Sequence, residues 1–303
     1  MRSLTVILAL AVVLSLAGCG SKGGDEEQQA AAVEESQSER VYFERAQNAL
    51  DARNYELAIQ LLEELERRHP FGQYTTQAQA DLIFAYFKRT DYAAAETAAE
   101  RFTELHPNHP NTDYAYYMKA IAIFPAVYTA LNRTNQRFAY QRDIEAGRRS
   151  FFLLAEFIQR FPDSLLVADA RQRMIYIRSL LAKHEISVAA YYFKRRAYIG
   201  ALRRAQGVLV DYPQTPETGD ALVLIASAHY ELDQDESALK AVELLKLNHP
   251  EHPSLDENGE LILPKATPFG ILHRMTQGFF YRNEGNIPKL RYDIQRPSRR
   301  QEN

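Results

Sequence analysis

Five prolines in this chain share one register, and that register limits what the chain can fold into more than any other feature. Pro70, Pro107, Pro162, Pro213 and Pro250 each lie twelve positions after a small residue: Ala58, Ala95, Ser150, Ala201 and Ala238. Between small residue and proline the apolar positions fall at helical spacing, as in NYELAIQLLEELERRHPFGQY from Asn54 to Tyr74. A proline cannot continue a helix, because it lacks the N–H and its ring crowds the preceding turn. Each copy therefore reads as an amphipathic helix with a built-in stop. Tyr55, Tyr92 and Tyr198 open the helix three residues before the small one, with Gly147 and Asp235 in that place in the other two copies.

Pro70 and Pro107, and again Pro213 and Pro250, are 37 residues apart, close to the roughly 34 of a tetratricopeptide helix-turn-helix with its Ala-x₃-Phe pattern and late proline. Ala58 and Leu62, Ala95 and Ala99, Ala201 and Ala205, and Ala238 and Val242 hold positions of that type. A single pair cannot bury its own apolar face, so neighbours must stack. The spacing predicts an all-α chain: a tetratricopeptide-like, right-handed superhelical solenoid of five helix pairs over residues 40–253, with an irregular helical bundle as the alternative. Helices are expected at 41–53, 55–69, 76–89, 92–106, 113–123, 145–161, 165–192, 218–230 and 236–248, with a further one opened by Tyr198. The 55-residue step from Pro107 to Pro162 is explained by an insertion, Phe124 to Asp143. Two readings stand for that insertion, a recognition loop or a tolerated excursion.

Arg2, a run from Leu4 to Leu16 without charge, and Leu16-Ala17-Gly18-Cys19 describe a secretory signal over residues 1–18. LAGC resembles a bacterial lipobox, which implies cleavage before Cys19, a diacylglycerol on its thiol and an acyl chain on the new amino terminus. Cys19 is the only cysteine, so no internal disulfide or thiolate metal site can form. Residues 19–39 are rich in Gly, Ser, Gln and acid and read as a flexible tether, with the alternative that Ala30 to Glu39 frays into the first helix. Gly18, Gly20 and Gly23 spell G-x-G-x-x-G, but with no strand before it the match carries no nucleotide site. The tail, residues 254–303, loses the period; Lys265 to Asn303 holds eight Lys or Arg against three Asp or Glu, with the aromatic GFFYR at Gly278–Arg282. A partner's acidic groove, anionic headgroups and the chain's own acidic body are equal candidates for its contact.

The formal charge of −3 and the absence of an interleaved basic and aromatic motif in the repeats argue against nucleic acid. HPNHP at His106–Pro110 and HPEHP at His249–Pro253 pair histidines at the same inter-repeat turn, without an acidic or thiol ligand set, so no metal is expected. No G-x-S-x-G or H-E-x-x-H occurs, no catalytic residue is assigned and no enzyme is expected. Two stretches suit binding. The turn HPFGQY, His69 to Tyr74, exposes aromatics around a glycine, with Phe71 either plugging the gap between repeats or meeting a ligand. Lys194, Arg195, Arg196, Arg203 and Arg204 concentrate positive charge in the fourth unit, either as a solvated face or as a partner site.

The lipobox, the acidic tether, the five pairs and HPFGQY together resemble the BamD (ComL) family of outer-membrane assembly lipoproteins. LIFAYFK (Leu82–Lys88), HPNHPNTDYAYYM (His106–Met118), LAKHEISVAAYYFKRRAY (Leu181–Tyr198) and RAQGVLVDYP (Arg204–Pro213) make the resemblance specific from Cys19 to about Pro250. The resemblance implies a non-catalytic subunit of the β-barrel assembly machinery, held by lipid on the periplasmic face of the outer membrane. It also implies binding of unfolded outer-membrane β-barrel proteins at Phe71, Gly72 and Tyr74. Arg195 and Arg204 are implied to dock on the periplasmic domain of the barrel-forming subunit, beside other assembly lipoproteins. His69 and the long tail depart from the family pattern. The competing class is a tetratricopeptide lipoprotein that scaffolds a pilus secretin or a cell-wall complex.

Overall fold

A computed structural model describes residues 38–124, 144–262, 294, 296 and 297. The signal segment, Cys19, the insertion after Phe124 and most of the tail lie outside the described residues. Among the described residues ten helices run in order, beginning with α1 at 38–51. There follow α2 (Tyr55–Arg68), α3 (Thr75–Lys88), α4 (Tyr92–Leu105), α5 (Thr112–Ala122) and α6 (Ile144–Arg160). The last four are α7 (Val167–Lys194), α8 (Tyr198–Asp211), α9 (Thr218–Tyr230) and α10 (Asp235–Asn248). The chain divides into two compact units, residues 1–91 and 92–303. In the first, α2 packs on α3, and Phe43, Ala46, Ala49 and Leu50 of α1 join Ile59, Leu62, Leu65, Leu82 and Phe84 in one core. In the second, each helix from α4 to α10 packs on the next, and α7 also touches α9. The fold is all-α and tetratricopeptide-like.

The proline register reappears as burial. Ala58, Ala95, Ala201 and Ala238 are fully buried and Ser150 nearly so, and four residues on, Leu62, Ala99, Leu154, Ala205 and Val242 are buried as well. Another turn further, Leu65, Phe102, Phe157, Val208 and Leu245 are each at most 1% exposed. One stripe of every second helix thus points inward, and its small member is of the kind that lets neighbouring helices approach closely.

The corners repeat as well. After each proline the chain makes two successive turns closed by backbone bonds: Gly72 N–H to His69 C=O and Thr75 N–H to Gly72 C=O, then likewise 109 to 106 and 112 to 109, 164 to 161 and 167 to 164, 215 to 212 and 218 to 215, 252 to 249 and 255 to 252. Within four of the pairs the first helix ends on a left-handed residue, Arg53, Thr90, Arg196 or Asp233. The next N–H then reaches five residues back, from Asn54 to Ala49, Asp91 to Tyr86, Ala197 to Tyr192 and Gln234 to His229, at 2.8–3.0 Å. This is a Schellman ending built without glycine. A β-branched residue bears that conformation worst, and Thr90 is exposed at φ 67°. Thr90→Asn is therefore expected to stabilise the protein by about 0.5–1 kcal/mol, since the left-handed region costs an ordinary residue roughly 1–2 kcal/mol. A urea midpoint that stays or falls would refute it.

Two boundaries drawn from the sequence move. Helix α1 begins by residue 38, so Ser38 and Glu39 belong to the folded body and not to the tether; Glu39 is buried and bonded to a neighbouring turn. Residues 254–262 are not tail. Leu255 and Leu261 pair as an antiparallel bridge around Gly259 at φ 73° and pack on Leu222, Val223 and Leu245. They cover the open end of the last pair, where the apolar face would otherwise meet water. Within the tail, Ile294 and Pro297 are buried.

The histidines of HPEHP close over this end of the fold. His252 Nδ1 accepts the Ser254 N–H at 3.2 Å, so its proton sits on Nε2, 3.2 Å from Asp220 Oδ1. Thr218 spends its hydroxyl proton on the Thr215 carbonyl, which leaves His249 Nε2 as the donor to Thr218 Oγ1 at 3.0 Å. Burial pushes the Asp220 carboxyl up from its ordinary range, with the His252 contact opposing it. A Cβ on Gly219 would lie 2.7 Å from His252 Cδ2. Gly219→Ala is expected to destabilise by about 1–3 kcal/mol through this overpacking, despite alanine's better helix propensity; thermal unfolding would show it as a lower midpoint.

Candidate functional site

The turn at residues 69–74 is built by three helices of the first unit. His69 ends α2, its N–H bonded to the Leu65 carbonyl at 2.8 Å, and Pro70 prevents continuation. Thr75 Oγ1 donates back to the His69 carbonyl and starts α3. The N-cap of α3 is Tyr74, whose side chain makes no capping bond, so the free amides there need an acceptor from elsewhere. Glu39 of α1 supplies it. Its Oε1 accepts the Tyr74 N–H at 2.7 Å and its Oε2 the Gln73 N–H at 3.2 Å. A carboxylate at a helix N-terminus also meets the positive end of the helix dipole.

The three residues assigned to this turn have different surroundings. Phe71 is 99% exposed, the most open of the large apolar side chains among the described residues. Gly72 makes room: a Cβ there would fall 2.1 Å from Glu39 Oε1. The Tyr74 ring is half-buried and stacked on Phe43 of α1, with centroids 4.8 Å apart and planes at 21°. Phe71 therefore faces solvent, while Gly72 and Tyr74 hold the turn that carries it.

The basic stretch sits on the hairpin between α7 and α8, in the second unit. α7 is 28 residues long, and Lys194, Arg195, Arg196, Arg203 and Arg204 are all exposed. Arg195 caps α7, and its guanidinium lies over the Tyr191 ring, 5.4 Å from the centroid. Arg204 reaches across to Glu185 of α7 at 2.9 Å with its side chain 47% exposed. The Glu185 hydrogen bond raises the Arg204 pKa further above its ordinary value, so its charge is permanent. Phe71, Gly72 and Tyr74 thus share one turn of the first unit, and Arg195 and Arg204 one hairpin of the second.

Glu39 and Glu185 were not among the residues singled out in the sequence. Glu39 was legible in part: it stands four residues before Phe43 and seven before Ala46, in helical phase with the first core positions. Glu185 gave no signal, because its partner lies 19 residues on, across a helical corner. Among the described residues no group of three or more His, Cys, Asp or Glu is placed to hold a metal ion, and no helix is long and apolar enough to cross a membrane.

Stacked helix pairs with one projecting aromatic turn and one basic hairpin define a helical-repeat scaffold, a protein that offers surfaces. A family model described as outer membrane lipoprotein (YfiO) matches residues 35–245. Outer membrane protein assembly factor BamD of Neisseria gonorrhoeae is 35% identical over 250 residues, covering 82% of this chain and 93% of the relative. The proteins of the same name from Vibrio cholerae and Pasteurella multocida are 32% and 31% identical, over 68% and 71% of this chain and 86% and 82% of their own lengths. The chain belongs to the BamD family of outer membrane protein assembly factors.

Proposed function

We propose that this protein is a non-catalytic subunit of the machinery that assembles β-barrel proteins in the outer membrane. Its first unit receives an extended, aromatic segment of an unfolded barrel protein at the Phe71 turn, and its second unit docks through Arg195 and Arg204 on the periplasmic domain of the barrel-forming subunit. Other assembly lipoproteins join the complex. Lipid on Cys19, a diacylglycerol and an N-acyl chain, keeps both surfaces on the periplasmic face of the membrane. The observation that carries the reading is Phe71 itself: a large apolar ring wholly in solvent, on a turn fixed by a buried carboxylate and a ring stack. Rigid presentation lowers the entropic cost of binding, and an aromatic anchor is the kind of residue that dominates such contacts.

Phe71→Ala is expected to weaken binding of an extended synthetic peptide ending in an aromatic residue by about 2 kcal/mol, roughly thirtyfold in Kd. Fluorescence anisotropy on the folded, lipid-free protein measures it. Capture from detergent-solubilised envelopes tests the wider assignment. Recovery of a barrel-forming subunit together with barrel substrates supports it, whereas recovery of a pilus secretin or of cell-wall enzymes in their place transfers the scaffold to another assembly.

A further inference from the structure

The first inter-repeat turn satisfies its amides differently from three of its four counterparts; in the fourth, the Thr215 hydroxyl donates to the Tyr212 carbonyl. Where the second turn has His109, the third Ser164 and the last His252, the side chain at that place accepts the N–H two residues on: Asn111 at 3.1 Å, Leu166 at 3.3 Å and Ser254 at 3.2 Å. The first turn has Gly72 there, with no side chain to offer. The equivalent amide, Tyr74 N–H, goes to Glu39 Oε1, 35 residues earlier in the chain. Glu39 is 4% exposed, and the same helix holds the turn a second time through the Phe43–Tyr74 stack. The acceptor has thus been moved off the turn and onto the inner helix. What this clears is the backbone beside Phe71, which carries no side chain at the next position.

We infer that Glu39 is a positioning residue for peptide binding: it replaces the local cap, so that Phe71 is presented on a rigid turn whose adjoining backbone is bare. This deepens the reading of Phe71 as the ligand contact and rests on it. Gly72→Ala should act through Glu39, because the new methyl would displace the carboxylate from the amides.

The test reads the turn and the ligand separately in the full chain. Glu39→Ala should speed amide exchange of Gln73 and Tyr74 by about tenfold or more, the loss expected for charge-assisted bonds, and weaken the aromatic-ended peptide about as much as Phe71→Ala. Glu39→Gln, which keeps one carbonyl acceptor, should fall between. Adding Gly72→Ser to Glu39→Ala restores a local acceptor of the kind Ser164 provides, so exchange at Tyr74 should slow again while peptide binding stays weak. That recovery also shows that the Glu39→Ala protein is folded. Unchanged exchange in Glu39→Ala overturns the inference, and so does faster exchange with full peptide affinity while Phe71→Ala binds weakly. Peptide affinity restored together with amide protection in the double variant overturns the role given to the bare backbone. If Phe71→Ala itself binds normally, the peptide reading of the turn fails, and Glu39 is left as a helix cap with nothing to position.

Discussion

Phe157→Ala is expected to lower the stability of the second unit by about 3–5 kcal/mol, the cost of deleting a fully buried aromatic ring. Phe157 has no solvent exposure, and its ring lies 5.8 Å from that of Tyr117 on α5 and 5.9 Å from that of Phe161 at the end of its own helix. It occupies the place seven residues after the small one, filled elsewhere by Leu65, Phe102, Val208 and Leu245. A truncation there removes transfer energy and leaves a void that the surrounding packed side chains refill only in part. Native domains hold only about 5–15 kcal/mol in all, so about a fifth or more of the margin is at stake. Urea unfolding gives the loss directly. In a repeat architecture the damage should be local, with amide exchange rising first in α5, α6 and α7 and least in α10. A loss below about 1 kcal/mol would mean that the neighbouring rings refill the site.

Arg204→Glu is expected to abolish docking on the barrel-forming subunit while leaving the helices intact. Truncating one partner of a desolvated charge pair costs about 2–5 kcal/mol of association, roughly thirtyfold to several thousandfold in Kd. Reversal adds repulsion from Glu185, which now supports the guanidinium at 2.9 Å. The intramolecular pair itself is half-exposed and contributes at most about 1 kcal/mol to folding. Fold and docking are therefore separable. Circular dichroism and the urea midpoint should move little, whereas capture of the barrel-forming subunit should disappear, and Arg204→Ala should show an intermediate loss. Normal capture by Arg204→Glu removes this hairpin from the docking surface.

Much of the fold was legible because repetition reports one physical constraint five times. A proline ends each second helix, and a small residue twelve places earlier marks the close crossing, so the register of Ala58, Ala95, Ser150, Ala201 and Ala238 found the buried stripe without any structure. The helix ends followed to within a few residues. What escaped has a common cause: contacts made by side chains far apart in sequence. Glu39 falls among acidic, glutamine-rich residues that read as linker; its helical phase hinted at the core, but its role as acceptor of the Tyr74 amide came only with the geometry. Arg173 looks like one more surface arginine of α7, yet it is 2% exposed, held by Tyr117 and Asp169. Leu255 and Leu261 lie past the last period and become structural by packing on Leu222, Val223 and Leu245 of the preceding helices. The candidate site was legible as residue types in a turn and a hairpin. That Phe71 faces outward, with Gly72 and Tyr74 spent on support, required the geometry.

The order in which helices meet within the second unit bears on how the chain comes to be folded. Contacts there join each helix to its successor, with α7 and α9 also in touch, so, apart from the insertion after Phe124, neighbours in contact are also neighbours in sequence and local contacts predominate. Such chains reach the native state quickly, because little entropy is lost before each contact is made. A polypeptide that emerges amino end first, from a ribosome or across a membrane, can therefore consolidate one helix after another without waiting for its far end. The exception is the closing bridge. Leu222, Val223 and Leu245 stay uncovered until Leu255 and Leu261 have arrived, which makes residue 261 the point at which the growing array first hides its own adhesive end.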